Sequence, residues 1–344
     1  MRKIGLTADI HLQLGKRSNY IDYIYKSLNF FFEECKKDNI FDIFMLGDIV
    51  EYKDKIDVFV LNSMLDFFRE KKDQGFFIRF LVGNHETVRR ADNDINFLNV
   101  FSREFEVYKD YTVVFNGDTI LHFLPFFKDD ILQEMIPKIK NSIQSNAKNY
   151  LFTHLAFKNF DLGGGHEDVY SEIESKQFEA LGFTHIYSGH FHKRQTIGKT
   201  TYVSSPMMTN FGELGEEEYH GFLKLDLMNN STEFIQNPHL IKFKRYELNS
   251  KTLPIMMKET NCYLEVILTK NYNYLYREKL KEALERNNYK VRFQYDISKK
   301  NQTIAKIDDW TNILAESKEQ IIEKFIHSKP LDDIIKKELL EYLK

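Results

Sequence analysis

The feature of this sequence that most constrains its fold is a set of five apolar runs, each of which ends in polar residues able to bind a metal ion. The runs end in ADIH, LGDIVE, VGNHE, FTHL and SGHFH, and these ends are spread from position 8 to position 192. Short apolar runs that alternate with helical patterns are typical of β-α units in a largely parallel sheet. Because α/β sheets bind ligands at the carboxyl ends of their strands, we expect the five polar ends to meet at one crevice.

The polar residues at these ends form a chemically consistent set of metal ligands. Two are carboxylates, one is an amide and four are imidazoles: Asp9, His11, Asp48, Asn84, His154, His190 and His192. A mixed nitrogen and oxygen set without a thiolate suits Mn, Fe or Zn rather than Ca. Each Asp-x-His or His-x-His pair would point to one face if the extended backbone continued through it. Seven ligands exceed the needs of one ion, so we predict two divalent ions bridged by a carboxylate, an arrangement suited to displacement at phosphorus.

The composition indicates a folded, soluble chain. Its 344 residues are 42% hydrophobic and 29% charged, which suggests one large domain with one or two small ones. A net charge of −3 gives no overall sign of a nucleic-acid partner, so a basic surface would have to be local. The only cysteines, Cys35 and Cys262, are too few for a disulfide framework. Since no apolar run reaches membrane-spanning length and the N-terminus becomes polar early, we expect an intracellular, cytoplasmic protein without a membrane partner.

The pattern of the chain changes after about Pro238. Before it, strands alternate with helices, and short strands near Tyr202, Phe222 and Glu233 are expected to complete a second, more antiparallel sheet. Residues 239–308 contain a compact β-α-β unit, and residues 309–344 contain two helical stretches. An apolar stripe in the last stretch would pack on the protein's own core or dock on a partner: Leu331, Ile334, Ile335, Leu339 and Tyr342.

The order of the motifs resembles that of the calcineurin-like metallophosphoesterases over about residues 1–238. The shared motifs are Asp-x-His, Gly-Asp, Gly-Asn-His-Glu, a lone His and Gly-His-x-His. The resemblance implies an α/β fold, with a two-sheet β-sandwich flanked by helices. It implies that one ion is held by Asp9, His11, Asp48 and His192, and the other by Asp48, Asn84, His154 and His190. By the same resemblance, His85 would be a catalytic histidine that does not bind metal and that stabilises the transition state or protonates the leaving oxygen.

The segments after Pro238 are similar in order and size to those of the SbcD-type nuclease subunits of double-strand-break repair complexes, including phage recombination endonuclease subunits. This resemblance implies a capping, DNA-binding domain at 239–308 and a helical segment at 309–344 that binds an SMC-like (SbcC-type) ATPase. It also implies a homodimer and a manganese-dependent nuclease with duplex exonuclease and single-strand endonuclease activity. Such an enzyme acts in DNA repair and recombination.

Three basic pairs follow the metal motifs and would form a positive rim that contacts DNA: Lys16 and Arg17, Arg89 and Arg90, and Lys193 and Arg194. Asp48 leads into IVEYK rather than into the Asp-Arg-Gly sequence that resembles protein Ser/Thr phosphatases. The arginine that would grip a phosphoprotein substrate is therefore missing, which favours a nuclease. Glu86 in GNHE is, by contrast, similar to those phosphatases. Two alternatives therefore stay open. One is a calcineurin-like phosphatase or small-substrate phosphodiesterase, and the other is a catalytically weak DNA-end-binding scaffold.

Overall fold

The computed structural model of this chain describes residues 2–13, 19–51, 57–89, 92–162, 171–269 and 272–295. Residues 1–295 form one compact unit. The predicted ATPase-binding segment at 309–344 lies outside the described residues. Within the described ranges, no helix combines the length and the apolar character that crossing a membrane would require. Cys35 and Cys262 are both buried, and neither forms a disulfide.

The first sheet contains the strands that lead to three of the five ligand motifs. From edge to edge its strands are β14 (Ser231–Gln236), β13 (Gly221–Asp226), β1 (Lys3–Thr7), β2 (Asp42–Leu46), β3 (Phe77–Leu81) and β6 (Glu106–Tyr108). Strands β1, β2, β3 and β6 are parallel, so β1, β2 and β3 end at the same edge. The predicted β-α arrangement of this part is confirmed.

The second sheet carries the other two motifs. Its strands are β11 (Gln195–Ile197), β12 (Thr200–Tyr202), β10 (His185–Ser188), β9 (Lys148–Thr153), β8 (Thr119–Leu124) and β7 (Thr112–Asn116). Strands β7 and β8 form a hairpin in which Asn116 pairs with Thr119, so its turn residues are Gly117 and Asp118. Gly117 has a φ of +62°, which glycine adopts without the steric cost of a Cβ atom.

The expectation that all the later strands join the second sheet is wrong for two of them. Strand β13 pairs antiparallel with β1, and β14 pairs with β13, so both extend the first sheet. Only β11 and β12 join the second sheet. Periodicity reveals that a segment is extended, but its partner is selected by hydrogen bonds to strands that are distant in the sequence.

Helices cover the outer faces of the two sheets. These helices are α1 (Asn19–Lys37), α2 (Val58–Asp73), α3 (Asp129–Ser142) and α4 (Ser175–Glu179). Two further helices, α5 (Leu253–Met256) and α6 (Tyr274–Glu285), follow the sandwich in the chain. Strands β4 (Thr87–Arg89) and β5 (Asp92–Asn96) form a separate hairpin. Residues of α1 and α2 share a core with the outer face of the first sheet, and residues of α3 and α4 share one with the second. The sequence did not predict α3, which contains an internal proline, Pro137.

The two sheets pack face to face around an aromatic core. Phe44 of β2 lies 5.1 Å from Phe123 and 4.9 Å from Phe152 of the second sheet, measured between ring centroids. Neighbouring residues of β2, such as Ile43 and Met45, face the helices on the other side. This confirms the predicted two-sheet sandwich flanked by helices.

A third, smaller sheet follows the sandwich within the predicted capping region. Its parallel strands are β15 (Lys242–Glu247), β16 (Cys262–Leu268) and β17 (Lys290–Tyr295), and α5 and α6 lie in the connections. Leu264 and Val266 on one face pack against Leu280 and Leu284 of α6. On the other face, the ring of Phe243 stacks at 4.9 Å on that of Tyr263. The predicted β-α-β unit is therefore present, with β15 as an additional strand.

Candidate metal centre

The ligand motifs leave their strands through backbone turns in the left-handed region. Asp9, His11, Asp48 and His190 have φ values of 53°, 50°, 51° and 96°. Strand β1 already ends at Thr7, so the extended backbone on which the alignment of Asp9 with His11 was conditional does not continue through them. Left-handed residues reverse the chain locally and bring the two side chains together instead. Such conformations are costly for residues other than glycine and concentrate at functional sites.

One group of ligand atoms belongs to Asp9, His11 and His192, and these atoms lie within 4.8 Å of one another. The Nε2 atoms of His11 and His192 are 3.1 Å apart. The Nδ1 atom of His11 lies 2.8 Å from Oε2 of Glu51, and that of His192 lies 3.0 Å from Oε1 of Glu213. A proton on each Nδ1 would face a carboxylate, which leaves two Nε2 electron pairs directed at each other. A cation between them satisfies both, so these residues fit a metal ion.

A second group belongs to Asp48, His154 and His190, whose ligand atoms also lie within 4.8 Å of one another. Oδ1 of Asn84 lies 3.1 Å from Nε2 of His154 and 2.9 Å from Nδ1 of His190. The Nδ1 atom of His154 donates to the carbonyl oxygen of Leu46 over 2.6 Å, which turns its Nε2 towards Asp48 and Asn84. The atoms that converge here are again those a cation would bind.

The carboxylate of Asp48 lies between the two groups. Its Oδ2 is 3.2 Å from Nε2 of His154 and 3.9 Å from Nε2 of His11. Its Oδ1 accepts the backbone N–H of His85 over 2.8 Å, which fixes the orientation of the carboxylate. Asp48 therefore has the position that the bridging ligand of a two-metal centre requires.

The charges of the site favour bound cations. Burial raises the pKa of Asp9, and the neighbouring imidazoles His154 and His192 oppose this rise. Burial also acts against ionised Asp48, but the charge of His154 and a hydrogen bond from it prevail and lower the pKa of Asp48. Burial opposes protonation of His154 as well, yet the charge of Asp48 raises the pKa of His154 to about 10. Two buried carboxylates thus require positive charge beside them.

His190 differs from His154 because burial and the charge of His154 lower its pKa to about 3. It is therefore neutral near pH 7, and its Nδ1 atom faces Oδ1 of Asn84. His192 has the opposite shift: burial disfavours its charged form, but a hydrogen bond with Glu213 raises its pKa to about 9. The carboxylate of Glu213 thus makes His192 more basic, as carboxylates beside metal-binding histidines commonly do.

His85 lies at the open side of the centre. Its side chain is 33% exposed, and its Nδ1 lies 2.6 Å from the backbone carbonyl oxygen of Glu51. This contact places the proton on Nδ1 and turns Nε2 towards the site, 4.0 Å from Oδ2 of Asp48. His85 could complete a third group of ligand atoms with His11 and Asp48. Because the His85 side chain is partly exposed, a bound substrate could contact it.

Glu86 supports the backbone that carries the ligands. It is fully buried, and its Oε2 accepts the N–H groups of Asp48 and Gly83 over 2.9 and 2.8 Å. Its Oε1 accepts those of Ile49 and Val50 over 2.6 and 3.3 Å. Burial and the nearby charge of Asp48 raise the pKa of Glu86 to about 7. Since these contacts occupy both oxygens, the glutamate of GNHE is accounted for by the architecture and carries no information about the substrate.

The sequence did not identify the residues that hold His192. Oγ1 of Thr209 lies 3.1 Å from Nδ1 of His192 and donates to Oε1 of Glu213 over 2.6 Å. His220, to which the sequence assigned no function, is fully buried, with its Nε2 3.6 Å from Oε2 of Glu213. These residues follow no metal motif, and their proximity to His192 arises only when the second half of the sandwich folds.

The basic pairs are not all available for the predicted rim. Nζ of Lys193 lies 2.6 Å from Oδ2 of Asp161 and 3.2 Å from Oε1 of Glu216, so two carboxylates offset its charge. The guanidinium of Arg194 stacks on the ring of Phe234 at 4.3 Å. The remaining side chains of the rim lie outside the described part of the structure: Lys16, Arg17, Arg89 and Arg90. Contact between these pairs and DNA stays a prediction.

Comparison with protein families decides the kind of centre this is. The model of the calcineurin-like phosphoesterase family matches residues 2–194, which is more than half of the chain and includes all seven proposed ligands. The chain belongs to this family. As a calcineurin-like phosphoesterase, it has a fold and a metal-binding site suited to phosphoester hydrolysis with two metal ions.

Other comparisons add little about the substrate. A solved structure of a dimetal phosphatase from Danio rerio is 13% identical, with a TM-score of 0.44, over 66% of this chain and 92% of that chain. A search of curated proteins finds no match.

Proposed function

We propose that this calcineurin-like phosphoesterase is the DNA nuclease subunit of an SbcCD-like end-processing complex and hydrolyses phosphodiester bonds. The observation that carries the hydrolytic part of the proposal is the position of the Asp48 carboxylate between two groups of ligand atoms. Two bound divalent ions, which we propose to be Mn²⁺, would lower the pKa of the attacking water and neutralise charge on the phosphate.

The side chains of the centre have distinct roles in this proposal. Asp9, His11 and His192 would hold one ion, Asn84, His154 and His190 would hold the other, and Asp48 would bridge them. His85 would act as the catalytic acid: the carbonyl of Glu51 fixes its Nδ1–H, and in the doubly protonated form of the ring its Nε2 would give a second proton to the departing 3′-oxygen. Asp9 and His154 are fully buried, whereas the His85 side chain is partly exposed, so the substrate would approach past His85.

The sequence after Asp48 supports a nuclease rather than a protein phosphatase. Asp48 leads into IVEYK, and the Asp-Arg-Gly sequence of phosphatase-like chains is missing at this place. The arginine of that sequence would grip a phosphoprotein substrate, so its absence from this motif favours a different phosphoester.

The organisation of the chain after Pro238 supports the wider assignment. We propose that 1–238 is the nuclease domain, that 239–308 caps it and contacts DNA, and that 309–344 binds an SMC-like ATPase. The described three-stranded sheet is consistent with such a cap in its position and its β-α-β connectivity. We also propose a homodimer, on the basis of the same family resemblance.

The proposal is tested with end-labelled linear duplex DNA incubated with the full chain and Mn²⁺, Mg²⁺ or a chelator. We expect shortening that requires Mn²⁺ and is lost in Asp48→Ala, because removal of the bridging carboxylate disrupts both ion sites. Thermal melting of Asp48→Ala would verify that the variant is folded. Parallel assays with p-nitrophenyl phosphate and bis-p-nitrophenyl phosphate compare monoester with diester hydrolysis.

Each alternative gives a different result. Faster hydrolysis of the monoester than of DNA or the diester would favour a calcineurin-like phosphatase. Binding of duplex ends without turnover under any metal would favour a DNA-end scaffold. Either result would overturn the nuclease assignment for the isolated chain.

A further inference from the structure

The metal ligand His192 depends on a turn that contacts the small sheet. In this turn, residues 209–213, Thr209 and Glu213 both approach Nδ1 of His192. Asn210 closes the turn, since its Nδ2 donates to Oε1 of Glu213 over 2.6 Å and its Oδ1 accepts the N–H of Gly212 over 2.7 Å. The position of the His192 ring is therefore set by the conformation of the 209–213 turn.

The side chain in the middle of that turn is clamped by the small sheet. The ring of Phe211 lies 4.1 Å from the guanidinium carbon of Arg292 in β17 and 5.0 Å, edge to face, from the ring of Phe243 in β15. The backbone carbonyl of Phe211 accepts an N–H of Arg245 over 3.4 Å. Both the stacking of a guanidinium on an aromatic face and the edge-to-face packing of two rings are attractive, so they hold the Phe211 ring in place.

The clamp is itself held rigidly. Glu265, at the centre of the sheet, is fully buried and lies between Arg245 and Arg292 in the strand register. Its Oε1 accepts Nε and Nη2 of Arg292 over 2.6 and 2.5 Å, and its Oε2 accepts Nε of Arg245. A buried carboxylate shared by two guanidinium groups leaves Arg292 little freedom to move away from Phe211.

Among the residues that the structure describes, the second ion site has no comparable connection to the small sheet. The imidazole of His154 is oriented by the backbone carbonyl of Leu46, in the centre of the first sheet. Asp48 and Gly83 are held by Glu86, which also lies within the sandwich. One site is therefore anchored by the sandwich alone, whereas the other depends on the 209–213 turn.

We propose that the small sheet is a positioning element for one of the two ions. Through Arg292 and Phe243 it would hold Phe211, and through the 209–213 turn it would fix His192 for the ion at Asp9 and His11. The ion at His154 and His190 would be independent of it. This inference rests on the two-metal centre of the proposed function and adds a route by which anything that displaces the small sheet would release one ion selectively.

The test measures Mn²⁺ binding, by the electron paramagnetic resonance signal of free Mn²⁺, with Arg292→Ala made in two backgrounds of the full chain. His154→Ala leaves the His192 site, and His192→Ala leaves the His154 site. We expect Arg292→Ala to weaken binding roughly 10-fold or more in the first background, as loss of support to a ligand usually does. In the second background we expect a change of less than about 2-fold, because additivity holds for independent sites.

A matched control and a second variant sharpen the result. Gln294→Ala removes an exposed side chain two residues from Arg292 on the same strand and face, and it should change neither site. Phe211→Leu keeps an apolar side chain in the turn but removes the stacked ring, and it should reproduce the selective loss if Arg292→Ala does not fold.

The possible outcomes are distinct. Equal weakening in both backgrounds would mean that Arg292 only stabilises the fold and would overturn the inference. An unchanged His192 site in a folded Arg292→Ala or Phe211→Leu variant would also overturn it. Absence of Mn²⁺ binding by the wild-type chain would instead contradict the two-metal centre, so failure of the inference and failure of the proposed function can be told apart.

Discussion

At the scale of single residues, the metal centre depends on side chains that hold the ligands as much as on the ligands themselves. Glu86 binds backbone N–H groups on both sides of the centre, at Gly83 and at Asp48. A carboxylate with two oxygens can serve these loops simultaneously, whereas an amide offers one acceptor and one donor. The loops therefore need an acid at this position for reasons of hydrogen bonding.

We expect Glu86→Gln to lower the free energy of unfolding by about 1–3 kcal/mol. The NH₂ group of the glutamine would face backbone N–H groups, from which it cannot accept hydrogen bonds. Urea denaturation with a chelator present measures this without a contribution from bound ions. Gln74→Ala is a suitable control, since Gln74 is exposed at the end of α2. Equal stability of Glu86→Gln and the wild type would show that the amide satisfies the loops and would contradict the assigned role.

The proposed ligands can be singled out from the sequence because each follows an apolar run within a short motif. Glu213 has no such signal: it lies 21 residues after His192 among several other acidic residues. Thr209 and His220 are equally inconspicuous. Supporting residues of this kind are selected by tertiary contact, so a single sequence gives no means of recognising them.

At the scale of elements, close packing of the loops at the strand ends brings the ligands together. Gly189 precedes His190, and a Cβ atom there would lie 2.4 Å from the carbonyl oxygen of Leu46 and 2.7 Å from Nδ1 of His154. Neither neighbour can move without loss of the hydrogen bond that orients His154. The glycine of GHFH is thus required by the approach of β10 to β2 across the sandwich.

We expect Gly189→Ala to destabilise the protein by about 3 kcal/mol, at the upper end for overpacking, and to weaken Mn²⁺ binding. Gly117→Ala is the control: its Cβ would meet nothing within 4 Å, so only the cost of the left-handed backbone, about 1 kcal/mol, applies. Urea denaturation and metal titration measure both quantities. A smaller loss of stability for Gly189→Ala than for Gly117→Ala would contradict this packing.

Most elements that border the site could be predicted from the sequence, because their apolar periodicity is strong. The strands ending near Asp9, Asp48 and His154 are present as expected. The pairing of β13 with β1 was not predictable, since it depends on contacts distant in the sequence. The left-handed turns at Asp9 and His11 were also not predictable. Aspartate and histidine adopt a positive φ only rarely, so their presence, unlike that of glycine, does not indicate such a turn.

At the scale of the whole molecule, the centre exists only when the two sheets pack together. The first sheet leads to Asp9, His11, Asp48 and Asn84, and the second leads to His154, His190 and His192. The 3.2 Å contact between Asp48 and His154 therefore joins the two halves of the sandwich. Stability of the intersheet core and formation of the site are expected to be coupled.

We expect Phe44→Ala to cost about 3–5 kcal/mol of unfolding free energy, because Phe44 is 1% exposed and packs on Phe123 and Phe152 between the sheets. Phe77→Ala should change stability by less than about 1 kcal/mol, since Phe77 is 65% exposed at the start of β3. Urea denaturation of the two variants compares them directly. Similar losses from both would mean that the aromatic core between the sheets contributes little.

The most direct measurement of the central claim is crystallographic: anomalous diffraction at the manganese absorption edge from crystals grown with Mn²⁺. We expect two peaks about 3.5–4 Å apart, one on each side of the Asp48 carboxylate. One peak should be bound by His11 and His192, and the other by His154 and His190. A single peak, or peaks that do not share Asp48, would contradict a two-metal phosphoesterase centre in this protein.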